Sequence, residues 1–318
     1  MTRVLVTGGA GFIGSHLVRH WCERGADVVV LDNLRTGRRC YLDGLDIEFV
    51  RGSILDQTTL RRIARGVDYV FHLAALISVA ESMENPRASV EVNVQGTLNV
   101  LDAARAAGAR KVVLSSTAAV YGSHPCGLRR EDHMTRPISP YGITKLDGEL
   151  YLDMFHREYG LPTVSLRYFN VFGPRQDPRS QYSAVVPAFI ERALRGDDLV
   201  VHGDGSHTRD FVYVGDAVAA NVMAAETPEM LGVYNVGHGR STTVVELART
   251  IIELVGSTSR IRFGPPRPGD IAHSTADATR LREAGFVCRT PLEDGLRETV
   301  AWMDTMAACN RRESPPHS

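Results

Sequence analysis

Short apolar runs alternate with amphipathic stretches along the first half of the chain. Five of these runs are rich in Val, Leu and Ile and are too short to be helices, which predicts buried β-strands. The predicted strands are Val4–Thr7, Val28–Leu31, Ile47–Val50, Tyr69–Leu73 and Lys111–Leu114. Helical patterns lie between them at Ser15–Glu23, Thr58–Arg65 and Ala88–Ala107. This βα alternation predicts an α/β fold built on a doubly wound parallel sheet of the Rossmann type.

The alternation loosens after Arg167, which predicts that later segments form a smaller α/β lobe. We expect a Rossmann domain over residues 1–166, joined by a returning segment near 209–236, and the smaller lobe mainly over 167–318. Leu199–His202 has the pattern of an edge strand. The tail from Asn310 has arginines, prolines and serines without apolar periodicity, which predicts disorder.

A glycine-rich loop joins the first predicted strand to the first helix. Gly8, Gly11 and Gly14 form a G-x-x-G-x-x-G pattern, and counting from Gly9 gives G-x-G-x-x-G. In either register the missing side chains let backbone N–H groups and the helix N-terminus approach a pyrophosphate. The strand–loop–helix order is the context that a dinucleotide-binding site requires.

The second predicted strand ends at Asp32, close to the spacing expected for an acid that binds ribose hydroxyls. A carboxylate accepts hydrogen bonds from those hydroxyls and repels a 2′-phosphate, so it favours NAD over NADP. Arg35 lies nearby and keeps NADP open, because an arginine can accommodate the phosphate.

Tyr141 and Lys145 are four residues apart at the start of the helix that follows the fifth strand. That spacing places both side chains on one helix face, where the ammonium would lower the pKa of the phenol from about 10. A solvated helix surface explains the spacing equally well when it is considered alone. The βα order, however, brings the pair to the carboxyl ends of the strands, together with Thr117. The sequence therefore predicts a hydride-transfer site, and His72 inside the fourth strand is interpreted as a core histidine.

Composition excludes several other classes of function. The formal net charge of −1 argues against a nucleic-acid surface. No apolar run is long enough to cross a bilayer, and the N-terminus reads as a first strand and not as a secretion signal. Five scattered cysteines without a C-x-x-C pair predict neither disulfides nor a metal site. These features fit a cytoplasmic protein.

The motifs together resemble the extended short-chain dehydrogenase/reductases, and within them the nucleotide-sugar 4-epimerases. The resemblance extends from Thr2 to about Met303. It rests on the glycine loop, His72–Ala75, Ser115–Thr117, Tyr121-Gly122, Tyr141-x-x-x-Lys145, Arg167–Pro174, Arg209–Val214 and Arg267–Asp270. The resemblance implies that a tightly held NAD oxidises C4 of a UDP-sugar and then returns the hydride to the other face of the 4-keto sugar.

The resemblance also implies roles for individual residues. Tyr141 would be the catalytic base, Lys145 would bind the nicotinamide ribose and lower the pKa of Tyr141, and Thr117 would hydrogen-bond the C4 oxygen. The implied cofactor contacts are Gly8, Gly11, Phe12, Ile13, Gly14, Asp32, Asn33, Ser53, Ile54, Leu73, Ala74, Ala75, Asn93, Ser115, Tyr141, Lys145 and Tyr168. The implied substrate contacts in the smaller, substrate-binding lobe and beside it are Ser78, Thr117, Asn170, Val186, His202, Arg209, Arg267, Asp270 and Ser274.

Several positions bear on the choice of reaction and sugar. Related 4,6-dehydratases carry an acidic pair where this chain has Ala118 and Ala119, which counts against elimination chemistry. Ser274 matches a gate over the C2 substituent, and its small side chain favours UDP-GlcNAc/UDP-GalNAc, with UDP-Glc/UDP-Gal also turned over. Ala118 stands where strongly N-acetyl-selective relatives have serine, so a relaxed epimerase is expected. Ser53 replaces an aspartate that often contacts adenine, and its hydroxyl can still accept a hydrogen bond.

Other interpretations remain open at this stage. Arg175 and Arg179 would suit UDP-glucuronate, a decarboxylase or dehydratase could use the same scaffold, and dTDP could replace UDP. A nucleotide-sensing binding protein is the alternative outside enzymes. The family further implies a homodimer that pairs the helices around Val94–Ala104 and Leu146–Phe155, unless their apolar faces pack on the sheet alone.

Overall fold

The computed structural model describes residues 1–123, 127–178, 184–266 and 271–313, with side chains up to Met306. Its strands are β1 (Arg3–Thr7), β2 (Asp27–Asp32), β3 (Glu48–Arg51), β4 (Tyr69–His72), β5 (Lys111–Thr117), β6 (Leu128–Arg129), β7 (Thr163–Tyr168), β8 (Asn170–Phe172), β9 (Leu199–His202), β10 (Thr208–Arg209), β11 (Phe211–Tyr213), β12 (Gly232–Val236), β13 (Thr242–Thr243), β14 (Ile261–Gly264) and β15 (His273–Ala276).

The helices are α1 (Phe12–Glu23), α2 (Gln57–Ile63), α3 (Val79–Glu84), α4 (Pro86–Val90), α5 (Gly96–Ala106), α6 (Pro140–Tyr159), α7 (Val185–Arg195), α8 (Val214–Glu226), α9 (Val244–Val255), α10 (Thr279–Glu283) and α11 (Leu292–Glu313). Turns of 3₁₀ type lie at Arg39–Leu42 and Ala118–Tyr121, and a π-helical turn lies at Glu91–Gln95.

Seven of the described strands form one parallel sheet in the order β12-β7-β5-β4-β1-β2-β3. All of its neighbouring strands run parallel. The five strands predicted from apolar runs are β1 to β5, so the predicted doubly wound parallel sheet is confirmed.

The apolar runs are continuous because both faces of the sheet are covered. Val28 and Val30 point into the core on one face, which α1 and α8 cover, whereas Val29 and Leu31 point into the core on the other face with α2, α5 and α6. Side chains alternate between faces along a strand, so a strand buried on both faces has no polar alternation.

The helix predicted over Ala88–Ala107 is wrong as a single regular helix. The chain forms α4, then the π-helical turn, then α5. Pro86 begins α4, as proline favours the first turn of a helix. The wider π-helical turn that follows contains Asn93, which is buried. Turns of this kind are frequent at functional sites.

The later part of the chain contributes both to the large sheet and to the smaller lobe. After α8, β12 returns to the large sheet beside β7. The predicted strand Leu199–His202 is β9, and it pairs in parallel with β14. A separate core of α7, β9, α9 and α11 side chains packs beneath that pair. The final helix runs to Glu313, so the tail predicted to be disordered from Asn310 begins as helix; its arginines and glutamate are good helix formers.

Candidate active site

The glycine loop approaches its surroundings too closely for side chains. Gly8 has φ +73°, and a Cβ on it would lie 2.7 Å from the backbone nitrogen of Ala74. A Cβ on Gly14 would lie 2.2 Å from the carbonyl oxygen of Gly8. Gly11 precedes α1, and the first turn of that helix contains no acidic residue. Phe12 and Ile13 therefore begin a helix whose N-terminal N–H groups are suited to an anion, which fits the pyrophosphate of a dinucleotide.

Asp32 is held rigidly at the end of β2. Its Oδ2 accepts a hydrogen bond from Ala10 N at 2.9 Å, and its Oδ1 accepts one from Leu34 N at 2.8 Å. Each carboxylate oxygen has a second lone pair, so both can also accept from ribose hydroxyls. The side chain of Arg35 forms an ion pair with Glu81, and Arg35 N donates to Oδ1 of Asn33 at 3.0 Å. The guanidinium that could have accommodated the 2′-phosphate of NADP is thus already paired with a carboxylate.

Ser53 and Ile54 follow β3, where the adenine contact is predicted. The Ser53 hydroxyl accepts a hydrogen bond from Leu55 N at 3.2 Å. Ile54 is buried against Gly96 of α5, where a Cβ would come within 2.4 Å of its Cδ1. The structure thus uses both side chains to fix the turn after β3 against α5.

The predicted core role of His72 agrees with its contacts. Thr97 Oγ1 donates to the carbonyl of Asn93 at 2.5 Å, so it accepts from His72 Nε2 at 2.9 Å. His72 Nδ1 then accepts from Thr7 Oγ1 at 2.8 Å. Burial first, and then the nearby charge of Lys145, lower the pKa of His72 to about 3. This histidine is neutral and structural.

Asn93 connects the segment after β4 to helix α6. Its Oδ1 accepts from Leu76 N at 2.7 Å, and its Nδ2 donates to Leu76 O and to Thr144 Oγ1, both at 3.0 Å. Leu73, Ala74 and Ala75 lead from β4 into this segment. The described contacts of Asn93 therefore fix the walls of the predicted cofactor site.

Tyr141 lies in the first turn of α6. Ser139 caps this helix by accepting from Gly142 N at 3.1 Å, and Ser82 accepts from Tyr141 N at 3.1 Å. The Tyr141 hydroxyl lies close to the side chain of Thr117, the last residue of β5. Lys145 follows one turn later and is 6% exposed. The structure thus brings the three predicted catalytic residues together at the end of the parallel strands.

The pKa values in this cluster correct one prediction. Burial raises the pKa of Tyr141 to about 12, and the nearby Thr117 hydroxyl opposes that shift only in part. Burial also lowers the pKa of Lys145 to about 8, against the attraction of Glu149. Lys145 was expected to lower the pKa of Tyr141. Within the protein, the cost of desolvating a phenolate dominates.

Tyr168 is fixed at the end of β7. Asn221 Nδ2 donates to the Tyr168 hydroxyl at 2.6 Å, and the hydroxyl lies 3.2 Å from Ser115 Oγ. Burial raises the pKa of Tyr168 to about 12. Ser115 and Tyr168 therefore form one buried hydrogen-bonded unit beside β5.

Two of the predicted substrate residues lie side by side on neighbouring strands. Arg209 of β10 stands opposite Ser274 of β15 in register. Arg209 Nη1 donates to the carbonyl of Thr208 at 2.9 Å and to that of Ala272 at 3.4 Å. Asn170 begins β8, where it pairs with Phe211. Arg267 and Asp270 lie outside the described residues, as does Arg179.

The other predicted substrate residues are already engaged. His202 Nδ1 lies 3.0 Å from the carbonyl of Pro265, and Ser78 Oγ caps α3 by accepting from Glu81 N at 3.1 Å. The Val186 side chain is 1% exposed and lies in the core of the smaller lobe. The apolar face of α7 turns this side chain inward, so a substrate contact at Val186 would have to come from its backbone and stays a prediction.

Sequence reasoning missed Glu149, which is buried behind Lys145, and assigned no role to its partner Arg167. The spacing of Glu149, four residues after Lys145, was a usable signal. Ser82 and Asn221 were also missed. Neither carries a local signal, because each meets its partner through the fold.

Comparison with known proteins agrees with this geometry. A family model described as "NAD dependent epimerase/dehydratase family" matches residues 4–237. A UDP-glucose 4-epimerase of Mycolicibacterium smegmatis is 42% identical over 305 residues, covering 94% of this chain and 97% of that protein. Relatives of 37% identity include a UDP-N-acetyl-alpha-D-glucosaminuronate decarboxylase of Bacillus cytotoxicus and a dTDP-glucose 4,6-dehydratase of Streptomyces griseus. The relatives therefore show the family and leave the individual substrate unresolved.

Solved structures give the same result. A UDP-N-acetylglucosamine 4-epimerase from Methanobrevibacter ruminantium, in complex with UDP-N-acetylmuramic acid, superposes with a TM-score of 0.93 at 40% identity, covering 96% of this chain and 99% of the other. A UDP-glucose 4-epimerase from Thermus thermophilus in complex with NAD has a TM-score of 0.88 at 40% identity, covering 95% and 99%. No described helix is both long and apolar enough to cross a membrane. The chain therefore belongs to the NAD-dependent epimerase/dehydratase family, with the extended short-chain dehydrogenase/reductase fold and NAD as its cofactor.

Proposed function

We propose that the protein interconverts the C4 epimers of a UDP-hexose, preferring UDP-GlcNAc/UDP-GalNAc and also accepting UDP-Glc/UDP-Gal. The observation that carries this proposal is the cluster of Tyr141, Thr117 and Lys145 at the carboxyl end of β5. It lies on the same edge of the sheet as the glycine loop and Asp32. In an open α/β sheet, ligands bind at this edge.

The residues around the glycine loop fit NAD. Gly8, Gly11 and Gly14 would admit the pyrophosphate to the start of α1, and Asp32 would accept from the adenosine ribose. NAD, when bound, accepts a hydride from a substrate carbon and returns it. Ser53, Ile54 and Asn93 would shape the adenine side and the walls of this site.

Tyr141 would take the proton of the C4 hydroxyl as the hydride leaves that carbon, and would return it in the reverse step. Thr117 would hydrogen-bond the C4 oxygen and hold it beside the phenol. A general base works best when its pKa is near the working pH, whereas burial holds the pKa of Tyr141 near 12. The charge of Lys145 in the loaded site would have to offset that burial.

The smaller lobe would hold the nucleotide and the sugar. Arg209 offers a guanidinium to the diphosphate, which suits phosphate oxygens, and Asn170 would contact the same group. Ser274 lies opposite Arg209, which supports its role at the sugar end. By the resemblance, Arg267 and Asp270, which lie outside the described residues, would complete the proposed substrate site.

Elimination chemistry and a UDP-glucuronate substrate receive less support. Ala118 and Ala119 begin the 3₁₀ turn that directly follows Thr117, so neither position supplies an acid to C5 or C6. The guanidinium of Arg175 lies 5.8 Å from the ring centre of Tyr41. It packs on the segment after β2, which does not favour a contact with glucuronate.

The test incubates purified protein with UDP-GalNAc and with UDP-Gal, with no NAD added, and assigns the products by NMR. Equilibration of C4 epimers supports the proposal. A 4-keto-6-deoxy product or release of CO₂ would replace it with a dehydratase or decarboxylase. Conversion of no UDP-sugar, even with NAD added, would point to a nucleotide-sensing binding protein.

Replacement of Ser274 by tyrosine should suppress turnover of the N-acetylated pair at least about tenfold more than turnover of UDP-Gal. A bulky ring beside Arg209 would fill the space for a 2-acetamido group, and steric exclusion of this kind commonly changes specificity by about 10–200-fold. The measurement is kcat/KM for both sugars. Ser274→Ala is the matched control and should leave the ratio unchanged; equal losses on both sugars for Ser274→Tyr would contradict the gate.

We also infer a homodimer formed through α4 and α6. Part of the two helix faces predicted to pair is instead buried against the sheet, as the alternative prediction stated. These buried side chains are Val100, Leu101, Leu152 and Phe155. A different stripe stays exposed, comprising Met83, Val90, Ile143 and Leu150. Because α3 and α4 both pack on α6, these side chains form one apolar surface that a second copy would cover.

Replacement of Leu150 by glutamate should convert the dimer to a monomer without unfolding it. Leu150 is 60% exposed, so the charge meets solvent in the single chain and an apolar surface only in the pair. Sedimentation should show the parent protein at twice the mass of the chain. Phe263→Glu is the control, because Phe263 is equally exposed on the smaller lobe. A monomeric parent, or a dimer that survives the Leu150 change, would contradict this interface.

A further inference from the structure

Three buried charged side chains extend from the Tyr141 cluster along α6 and across to β7. Lys145 and Glu149 are one turn apart on α6, and Arg167 reaches them from β7. They are 6%, 4% and 4% exposed. Buried charges are costly unless they are paired with good geometry, so the arrangement of the three decides what each can do.

Both oxygens of the Glu149 carboxylate are occupied by other partners. Arg167 Nη2 donates to Oε2 at 2.7 Å, and Arg167 Nε donates to Oε1 at 3.0 Å and to Oε2 at 3.2 Å. The Ser116 hydroxyl donates to Oε1. Arg167 is itself fixed, since its guanidinium lies 4.7 Å from the ring centre of Tyr121 and its Nη1 donates to the carbonyl of Glu131 at 3.3 Å. The carboxylate is therefore immobile and its lone pairs are largely used.

Lys145 lies one turn from this carboxylate on α6 without bonding to it. Among the described residues, no hydrogen bond or ion pair of its ammonium is found. His72 on β4 lies near it and is neutral, so it supplies no compensating negative charge. Tyr121, beside Arg167, and Tyr168, beside Ser115, are not anions either, because burial raises the pKa of each to about 12. Glu149 is the anion that opposes the effect of burial on Lys145.

We propose that Glu149, clamped by Arg167 and Ser116, is a positioning residue that keeps Lys145 charged through space while leaving its ammonium free for the catalytic site. An unclamped carboxylate one turn away would form a direct ion pair with Lys145. That pair would draw the ammonium back from Tyr141 and from the cofactor. The proposal rests on the proposed role of Tyr141 and Lys145 in catalysis.

Lysine NMR can observe the effect directly, because the chain contains only two lysines, Lys111 and Lys145. Protein labelled with ¹³C-lysine, studied as purified, should give two side-chain signals, and Lys145→Arg assigns them. Lys111 is an internal control, since it donates to the carbonyls of Thr227 and Met230 and not to Glu149. The pH at which each signal titrates is measured in the parent protein and in four variants.

Glu149→Gln should move the Lys145 midpoint to lower pH by about one pH unit or more, because it removes the opposing charge. Arg167→Gln should move it to higher pH, because the freed carboxylate can then bond Lys145 directly and a repelling cation is gone. Glu149→Asp should restore most of the parent value. Glu131→Gln removes a carboxylate that accepts from Asn235 N at 2.7 Å in the same network, and it should leave the Lys145 midpoint unchanged.

Kinetics complete the test. Glu149→Gln should lower kcat roughly fivefold near pH 8 with little change in KM, since a midpoint that moves from about 8 to about 7 lowers the charged fraction of Lys145 at that pH from about one half to about one eleventh. The alkaline limb of the pH–activity profile of this variant should also shift to lower pH. An unchanged Lys145 midpoint in Glu149→Gln, or midpoints that move in the same direction in the Glu149→Gln and Arg167→Gln variants, would overturn the proposal.

The two proposals fail separately. If Arg167→Gln does not fold, the Glu149→Gln and Glu131→Gln pair still decides the positioning role. If no UDP-sugar is converted by the parent protein, the proposed function fails, whereas the lysine titration still reports whether Glu149 controls Lys145.

Discussion

Replacement of Tyr141 by phenylalanine should lower kcat by about 10²–10⁴-fold, the usual contribution of a general base. KM for the UDP-sugar should change little, because the ring that packs in the site is retained. The amount of NAD released by denaturing the purified protein should equal that of the parent, since the glycine loop and Asp32 do not contact this hydroxyl. The measurements are initial rates of epimerisation and the cofactor content.

Tyr151→Phe is the matched control for this prediction, because it removes a phenol from the same helix, α6, on the side that packs toward the core. It should leave kcat unchanged. Substantial epimerisation by the Tyr141→Phe protein would remove Tyr141 as the base. Loss of bound NAD from that variant would show instead that the phenol holds the cofactor.

Replacement of Gly14 by alanine should destabilise the protein and remove its NAD together. The added Cβ would lie 2.2 Å from Gly8 O and 2.8 Å from Gly9 Cα, and both are backbone atoms that cannot turn aside. Overpacking of a rigid site costs about 1–3 kcal/mol, occasionally more. The melting temperature should therefore fall even in protein from which NAD has been stripped, and the stripped variant should not rebind NAD.

Gly11→Ala provides the contrast. A Cβ there would meet Gly8 O at 3.2 Å, and Gly11 has φ −77°, which alanine adopts readily. The stripped Gly11→Ala protein should melt close to the stripped parent, and its loss should be confined to NAD affinity. Equal melting temperatures for the stripped Gly14→Ala protein and the parent would contradict the close packing of α1 on the glycine loop.

The sequence was sufficient for the parts of the molecule that depend on local patterns. Largely apolar runs of four or five residues identified β1 to β5, because a parallel strand is buried on both faces. The order of strand, glycines and helix identified the dinucleotide loop, because its backbone needs missing side chains within a few residues. The Tyr141–Lys145 spacing marked one helix face. Each of these signals is contained in a short segment.

Only the tertiary structure decided the chemistry around those signals. Tyr141 has its pKa raised, whereas its neighbour Lys145 alone predicts a lowered value, because the surrounding elements remove water from the phenol. Glu149 on α6 accepts hydrogen bonds from Arg167 on β7 and from Ser116 on β5. The Val186 side chain is buried in a core to which several elements contribute. Burial and pairing depend on residues far apart in the chain, so no local pattern contains them. The sequence by itself therefore determined the strands, the glycine loop and the Tyr141–Lys145 pair, and the fold determined the charge states and the partners of the residues around them.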